Sequence, residues 1–218
     1  MAGKLSKQEL KEPDKFQVML AKGMTWLTEH KQKIYIASGV VTVVLLVAAG
    51  WYIYSLNYEK SAQQIYARVY GSPAPENPAA VYKEVISQHP RSHAAALAHY
   101  RLANIHYQQN DFDAAIKAYE AFLEKTPDRS DLKPLAYAGL GYCYESKNDL
   151  KSALANFEKA ASLKSGQALE GMNHQNIARI YEAMNDRPKA LEHYQKALGK
   201  SVDPATDLLI KRKIATLS

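Results

Sequence analysis

The chain has 218 residues, a formal net charge of +6 and one cysteine. A single thiol excludes an internal disulfide, so apolar packing must hold the fold together, and Cys143 is expected to be a small buried residue. The basic excess divides evenly between the segments before and after Leu56. The sequence therefore lacks the dense basic patch of a nucleic-acid-binding protein, and no nucleic-acid partner is predicted.

The N-terminal arm, residues 1–33, changes character at Phe16. Residues 1–15 are polar, charged and interrupted by Pro13, which predicts disorder or a frayed helix. The residues that then recur at helical spacing are Phe16, Met19, Leu20, Gly23, Trp26, Leu27 and His30. They predict a short amphipathic helix that lies in the headgroups of the inner leaflet or packs on a partner protein. Gly23 weakens the prediction that this helix is continuous.

Residues 34–56 form an apolar segment of 23 residues without a charge or a proline. A helix of this length reaches roughly 35 Å, enough to cross a hydrocarbon core of about 30 Å. Aromatic residues near its ends suit the headgroup regions, as Tyr35 and Trp51 show. A cleaved signal peptide has a shorter apolar core, and a buried core helix is rarely apolar all round for this distance. We therefore predict a transmembrane helix.

The flanking charges predict the orientation of that helix. Lys31 and Lys33 stand directly before it, and bases are sparse after it until Arg68. By the positive-inside rule the N-terminus stays in the cytoplasm, and the rest is exported. In a bacterium this means a single-pass inner-membrane protein with a periplasmic domain. Small residues at 37–39 and at 42 permit close approach of a second copy, giving a homo-oligomer, or of another protein.

Residues 96–203 contain three copies of one helical pattern, spaced by 38 and then 37 residues. Each copy has a small residue, an Asn-Asp pair, and an alanine twelve residues after the small one. The small residues are Ala103, Gly141 and Ala178; the Asn-Asp pairs begin at Asn110, Asn148 and Asn185; the alanines are Ala115, Ala153 and Ala190. Small residues allow two antiparallel helices to approach closely, while Asn tolerates left-handed backbone geometry and Asp caps the second helix. Because one hairpin cannot bury its apolar face alone, the copies are expected to stack.

The segments on either side complete the predicted solenoid. Residues 57–95 resemble a degenerate first hairpin, with a loop from Gly71 to Pro78. Residues 204–218 read as a capping helix whose apolar residues Leu208, Leu209 and Ile214 lie on or beside one stripe. Extra residues after Pro127 and Leu163 predict longer loops, and Pro188 suits the first turn of a helix. The predicted fold class is all-α: a transmembrane helix, then a solenoid of helical hairpins with a C-terminal cap.

Catalytic motifs are missing from the sequence. It contains no phosphate-binding glycine loop, no zinc-protease motif and no nucleophile elbow. His99 and His106 are seven residues apart on one helix face, but no acid or thiol accompanies them. We predict a non-enzymatic protein without a metal or other cofactor.

The three copies resemble the tetratricopeptide repeat, whose unit is about 34 residues long. The copies depart from it by carrying histidine or tyrosine where the first helix usually has tryptophan. The resemblance implies a concave groove lined by first helices, which would bind protein segments. The implied groove residues are Leu97, Tyr100, Asn104, Tyr107, Leu135, Ala138, Tyr142, Glu145, Met172, Gln175, Arg179 and Glu182. Some of these tyrosines could instead pack within or between hairpins. Tyr100 stands where a carboxylate clamp would need lysine, which argues against recognition of a peptide terminus.

The whole plan resembles the YfgM-type ancillary subunit of the bacterial Sec translocon: a basic arm with the segment Lys7–Phe16, one span, a degenerate hairpin and three repeats. This resemblance implies an adaptor in protein export. Its partners would be translocon subunits and a membrane-anchored periplasmic chaperone, with membrane lipid around the span. The alternative is a cell-envelope assembly scaffold, for outer-membrane protein biogenesis or linked to division.

Overall fold

The computed structural model describes residues 15–71, 77–127, 130–200 and 204–218. Within these ranges the chain forms ten α-helices, one 3₁₀ helix and no strand, which confirms the predicted all-α fold. It divides into two compact units, residues 1–56 and residues 57–218. Residues 1–14 and most of the predicted loop between Gly71 and Pro78 lie outside the described ranges.

The first unit contains α1, Lys15–Glu29, and the beginning of α2, Lys31–Ala67. Gly23 lies inside α1 without breaking it; a single glycine costs a helix only about 1 kcal/mol. Helical hydrogen bonding continues on both sides of His30. The His30 amide donates to Trp26 O and the Ile34 amide donates to His30 O, each at 3.0 Å.

Helix α2 contains the whole apolar segment 34–56 and is 37 residues long. By length and composition it suffices to cross a membrane, and the most apolar part of the helix is not buried by any described residue. Trp51 at 70% exposure is typical of these side chains. Contiguous exposed apolar surface of this kind is costly in water and marks a membrane or protein interaction site.

The second unit consists of the end of α2 and eight further α-helices. These are α3 Pro78–Gln88, α4 His93–Gln108, α5 Phe112–Lys125, α6 Leu132–Ser146, α7 Leu150–Ser162, α8 Glu170–Ala183, α9 Arg187–Ala197 and α10 Pro204–Leu217. The three predicted repeats are the helix pairs α4–α5, α6–α7 and α8–α9. The predicted loop after Leu163 contains a 3₁₀ helix, Lys164–Leu169, and Pro188 lies in the first turn of α9 as expected.

The three Asn-Asp turns have the same backbone geometry. Asn110, Asn148 and Asn185 adopt φ of 59°, 60° and 62°. The aspartate that follows each of them caps the second helix; Asp149 Oδ1, for example, accepts a hydrogen bond from the Ser152 amide at 3.1 Å. The prediction of a left-handed asparagine followed by a capping aspartate is confirmed in all three hairpins.

Replacing Asn148 by alanine is expected to lower the free energy of unfolding by about 1 kcal/mol, because left-handed geometry penalises a residue with a Cβ and no local hydrogen-bonding group. Asn148→Gly is the matched control, since glycine adopts this geometry freely. Thermal unfolding of the full chain in detergent should show a lower Tm for the alanine variant only. Equal losses in both variants would mean that the asparagine side chain, and not the backbone angle, matters.

Close helix packing explains the small residues of the repeats. Ala103, Ala115 and Ala178 are fully buried. At Gly141 an added Cβ would lie 2.6 Å from Cε1 of Phe157, and at Gly139 it would lie 2.4 Å from Cζ of Tyr119. Each glycine therefore makes room for a buried aromatic ring of the neighbouring helix.

The first hairpin of the second unit is formed by the end of α2 with α3, and it packs against α4. Ala62, Tyr82 and Val85 share a buried cluster with alanines of α4. Glu59 caps α4 from α2: its carboxylate accepts hydrogen bonds from the amides of His93 at 2.9 Å and Ala94 at 3.2 Å. A carboxylate suits this place because the N-terminus of a helix carries partial positive charge.

The capping helix α10 packs through Ile210 and Ile214, so that of the predicted stripe residues Leu208, Leu209 and Ile214 only Ile214 packs against α9. Ile210 is 1% exposed and packs with Tyr194 and Ala197 of α9, joined by Ile214. The expected stripe residues Leu208 and Leu209 are instead 51% and 55% exposed. The physical reason is that the buried stripe follows a spacing of four, from Ile210 to Ile214, which leaves positions 208 and 209 on other faces.

Candidate protein-binding site

The predicted groove residues occupy four recurring positions of the first helices α4, α6 and α8, and the last two positions of each helix form a connected set. The first of these two positions is held by Asn104, Tyr142 and Arg179, and the second by Tyr107, Glu145 and Glu182. All six side chains are partly buried. Asn104 and Tyr142 also form hydrogen bonds with buried residues. We call this set the inter-repeat ladder.

The second ladder position of each repeat contacts the next helix unit. The ring of Tyr107 lies 6.5 Å from that of Tyr142, and Glu145 forms an ion pair with Arg179. Glu182 continues the pattern by binding Nζ of Lys213 in α10 at 2.7 Å. The ladder therefore links each first helix to its successor along one face of the unit.

Tyr142 is the best-connected member of the ladder. Its hydroxyl and the buried amide of Asn176 lie 2.8–3.1 Å apart and exchange hydrogen bonds. Its ring packs on Phe157 at 5.1 Å and lies 5.8 Å from the guanidinium carbon of Arg179. Arg179 thus lies over the Tyr142 ring in cation–π geometry, and both side chains are partly exposed.

In the first repeat, the tyrosines pack into the hairpin as well as lining its face. The Tyr100 ring lies 5.3 Å from Phe122, and the Tyr119 hydroxyl donates to Oδ1 of Asn104 at 2.5 Å. Burial raises the pKa of Tyr119, so its hydroxyl remains a donor. Leu97 is half-buried on the same helix.

At the far end, Glu182 is held by two donors. Tyr194 donates to Oε2 at 2.9 Å and Lys213 to Oε1 at 2.7 Å. Burial opposes ionisation of this carboxyl, but these hydrogen bonds prevail and lower its pKa. Both oxygens of Glu182 are therefore engaged within the protein, and it acts as a structural member of the ladder.

Two kinds of difference from the predicted site stand out. Ala138 is only 2% exposed and belongs to the buried cluster of Phe157 and Ile177, so it offers almost no binding surface. Conversely, Asn176 and Lys213 take part in the ladder without having been predicted. Lys213 lies on the capping helix, outside the repeat register. The only feature of the sequence that could have predicted its role is its position 31 residues after Glu182, about one repeat length. Leu135 and Met172 are half-buried, and Gln175 lines a cleft described below.

A recess of about 400 Å³ lies at the N-terminal end of the ladder. Its lining residues include Tyr70, Tyr82, Arg101, Asn104, Ile105 and Tyr107. The neighbouring Tyr66 raises the pKa of the Arg101 guanidinium. The recess thus combines aromatic surface with a permanent cation, a composition common in protein-binding sites.

Two histidines contact each other between α8 and α9. Nδ1 of His174 lies 3.2 Å from Nδ1 of His193, which requires at least one neutral ring. Burial lowers the pKa of both; Lys196 lowers both further, while Glu170 and Glu192 act in the opposite direction. Among the described residues, no group of three or more His, Cys, Asp or Glu side chains is placed to hold a metal ion.

Acidification is therefore expected to destabilise the third repeat. Because both folded-state pKa values are depressed, the unfolded chain binds more protons, and stability rises with pH through this range. The contribution is complete above the unfolded value of about 6.5 and is lost as pH falls below it. Tm of the full chain in detergent should fall between pH 7.5 and 5.5, and less so in the His174→Gln/His193→Gln variant. An equal fall in Tm in both proteins would contradict a role for this histidine pair.

Comparison with known proteins decides the family. The model of the tetratricopeptide repeat-like domain matches residues 24–218. The chain belongs to this family. The tetratricopeptide repeat-like match includes the apolar segment as well as the hairpins, and repeats of this type mediate protein–protein interactions. No curated protein sequence matches the chain.

Solved structures of MamA resemble the tetratricopeptide repeat-like hairpins. A crystal structure of MamA is 16% identical with a TM-score of 0.53, covering 64% of this chain and 74% of that one. A second crystal structure of MamA is also 16% identical with a TM-score of 0.53, covering 75% of this chain and 80% of that one. At this identity the likeness shows the fold alone.

Proposed function

We propose that this tetratricopeptide repeat-like protein is an adaptor in bacterial protein export. In this proposal α2 anchors it in the inner membrane with the N-terminus in the cytoplasm, and residues 57–218 work in the periplasm. Its partners would be subunits of the translocon and a membrane-anchored periplasmic chaperone. The proposal assigns no catalytic step to the chain.

The observation that carries the proposal is the inter-repeat ladder with a cleft at each end. Tyrosines provide large contact area at a low cost in side-chain entropy, and arginines supply directional hydrogen bonds. The ladder face includes Tyr107, Tyr142 and Arg179. A contact with the adjacent hairpin holds each of these side chains in place. The basic residues before the apolar segment support the orientation.

Photo-crosslinking in living cells tests this function. A benzophenone amino acid would replace Tyr107 or Gln175 on the ladder face, and Lys117 or Lys151, both exposed on second helices, as matched controls. We expect crosslinks to translocon subunits or to a periplasmic chaperone from the ladder positions only. Crosslinks exclusively from the control positions would contradict use of this face. Crosslinks to outer-membrane assembly or division proteins would favour the alternative scaffold function.

A further inference from the structure

A second cleft lies at the C-terminal end of the ladder, between α8, α9 and α10. It has a volume of about 380 Å³. Its lining residues include Gln175, Arg179, Tyr194, Leu209, Arg212 and Lys213. We call it the C-terminal cleft. Four of these six residues, all except Gln175 and Arg179, lie outside the repeat positions that predict a groove.

The charges around the C-terminal cleft are unbalanced. Of its three cations, Arg179 is paired with Glu145 and Lys213 with Glu182. Both oxygens of Glu182 are already occupied, by Lys213 and by Tyr194. Within the described part of the chain, Arg212 has no carboxylate partner. Among the residues that the structure describes, no carboxylate therefore compensates the charge of the Arg212 guanidinium in this cleft.

An apolar wall stands beside this guanidinium. Leu209 is 55% exposed although it belongs to the helix that caps the solenoid, where a polar outer face is the rule. Ile210 and Tyr194 continue the wall into the buried core. Cation and apolar surface thus lie within one cleft, and both are accessible.

We propose that the C-terminal cleft binds an internal segment of a partner protein in which an acidic side chain stands next to an apolar one. The carboxylate would pair with Arg212, and the apolar side chain would cover Leu209. This inference rests on the proposed function, because the cleft extends the same ladder, and it specifies the chemistry recognised there. We propose an internal segment and not a chain terminus because Tyr100 stands where a carboxylate clamp would need lysine.

A peptide selection tests the proposal on the full chain in lipid nanodiscs. The probe is a random library of twelve-residue peptides displayed on phage, with empty nanodiscs for background. We expect enrichment of Asp or Glu adjacent to Leu, Ile, Val or Phe. Enriched peptides without acidic residues would overturn this inference and leave the proposed function standing. Failure to enrich any peptide would overturn both.

Two matched pairs of variants locate the binding site. Lys211 neighbours Arg212 but does not line the cleft, and Leu208 neighbours Leu209 with similar exposure. Fluorescence anisotropy with an enriched peptide should give a Kd about three- to fivefold higher for Arg212→Gln and for Leu209→Ser. Lys211→Gln and Leu208→Ser should leave Kd unchanged. Equal effects within either pair would overturn the proposal, because surface charge or surface hydrophobicity in general would then explain binding.

Discussion

Replacing Phe157 by alanine should lower the free energy of unfolding by about 3–5 kcal/mol, the usual cost of removing a buried phenylalanine ring. Phe157 has no exposed surface, and its cluster includes Ala153, Ile177 and Ile180. Because these neighbours come from both the second and third repeats, the cavity would weaken the contact between two hairpins. Thermal unfolding of the full chain in detergent should show a fall in Tm of roughly 10 °C or more. Phe16, which is 65% exposed, provides the control, and Phe16→Ala should change Tm by little.

The space opened by that change can be probed at Gly141. In the wild-type chain Gly141→Ala should destabilise, since the new Cβ would lie 2.6 Å from the Phe157 ring. In the Phe157→Ala background the same methyl group meets no ring, so its cost should nearly vanish. A double-mutant cycle measures this coupling. If Gly141→Ala cost the same in both backgrounds, contact with Phe157 would not be the reason for glycine at this position.

Cysteine labelling should show an all-or-none difference between the two sides of the apolar segment. Cys143, the single native cysteine, is fully buried, and burial raises its pKa to about 11. It should therefore react very slowly with maleimides and give a low background. Gln17→Cys and Ser87→Cys place new thiols at exposed positions on either side. In spheroplasts an impermeant maleimide should label the residue 87 variant and spare the residue 17 variant.

Permeabilised cells provide the control for this experiment, because both variants should then be labelled equally. Labelling of residue 17 alone in intact spheroplasts would reverse the proposed orientation. Labelling of both without permeabilisation would contradict a membrane anchor. Either result would also remove the periplasmic partners from the proposed function.

The sequence predicted the features that repeat. These features are the Asn-Asp turns, the buried alanines and the helix pairs. They follow from local geometry that recurs in each copy of the repeat. Non-repeating features were harder. In α10 the predicted stripe contains Ile214, which packs against α9, but also Leu208 and Leu209, which do not, because a short helix with several apolar residues permits more than one register. Ile210 is selected only by its fit against Tyr194 and Ala197.

Repeat register predicts the positions of the candidate site residues, but it predicts poorly which of their side chains are exposed. Family register identified Tyr142, Glu145 and Arg179, but register alone does not reveal which side chains remain accessible. Ala138 occupies a predicted groove position and is nevertheless covered by the cluster around Phe157. The contribution of Lys213 depends on how the cap packs beside Glu182. Such contacts arise from tertiary packing and have no counterpart in repeat spacing.

The hydrogen bonds of the inter-repeat ladder join residues about one repeat length apart in the sequence. Tyr142 and Asn176 are 34 positions apart, and Lys213 and Glu182 are 31. If the chain is translocated from its N-terminal end, each of these hydrogen bonds can form soon after the second residue of the pair has emerged. It does not need the residues that follow. Because each repeat contacts mainly its neighbours, folding can spread from one repeat to the next. If residues 57–218 are exported as proposed, this architecture would let them assemble progressively as they leave a narrow channel.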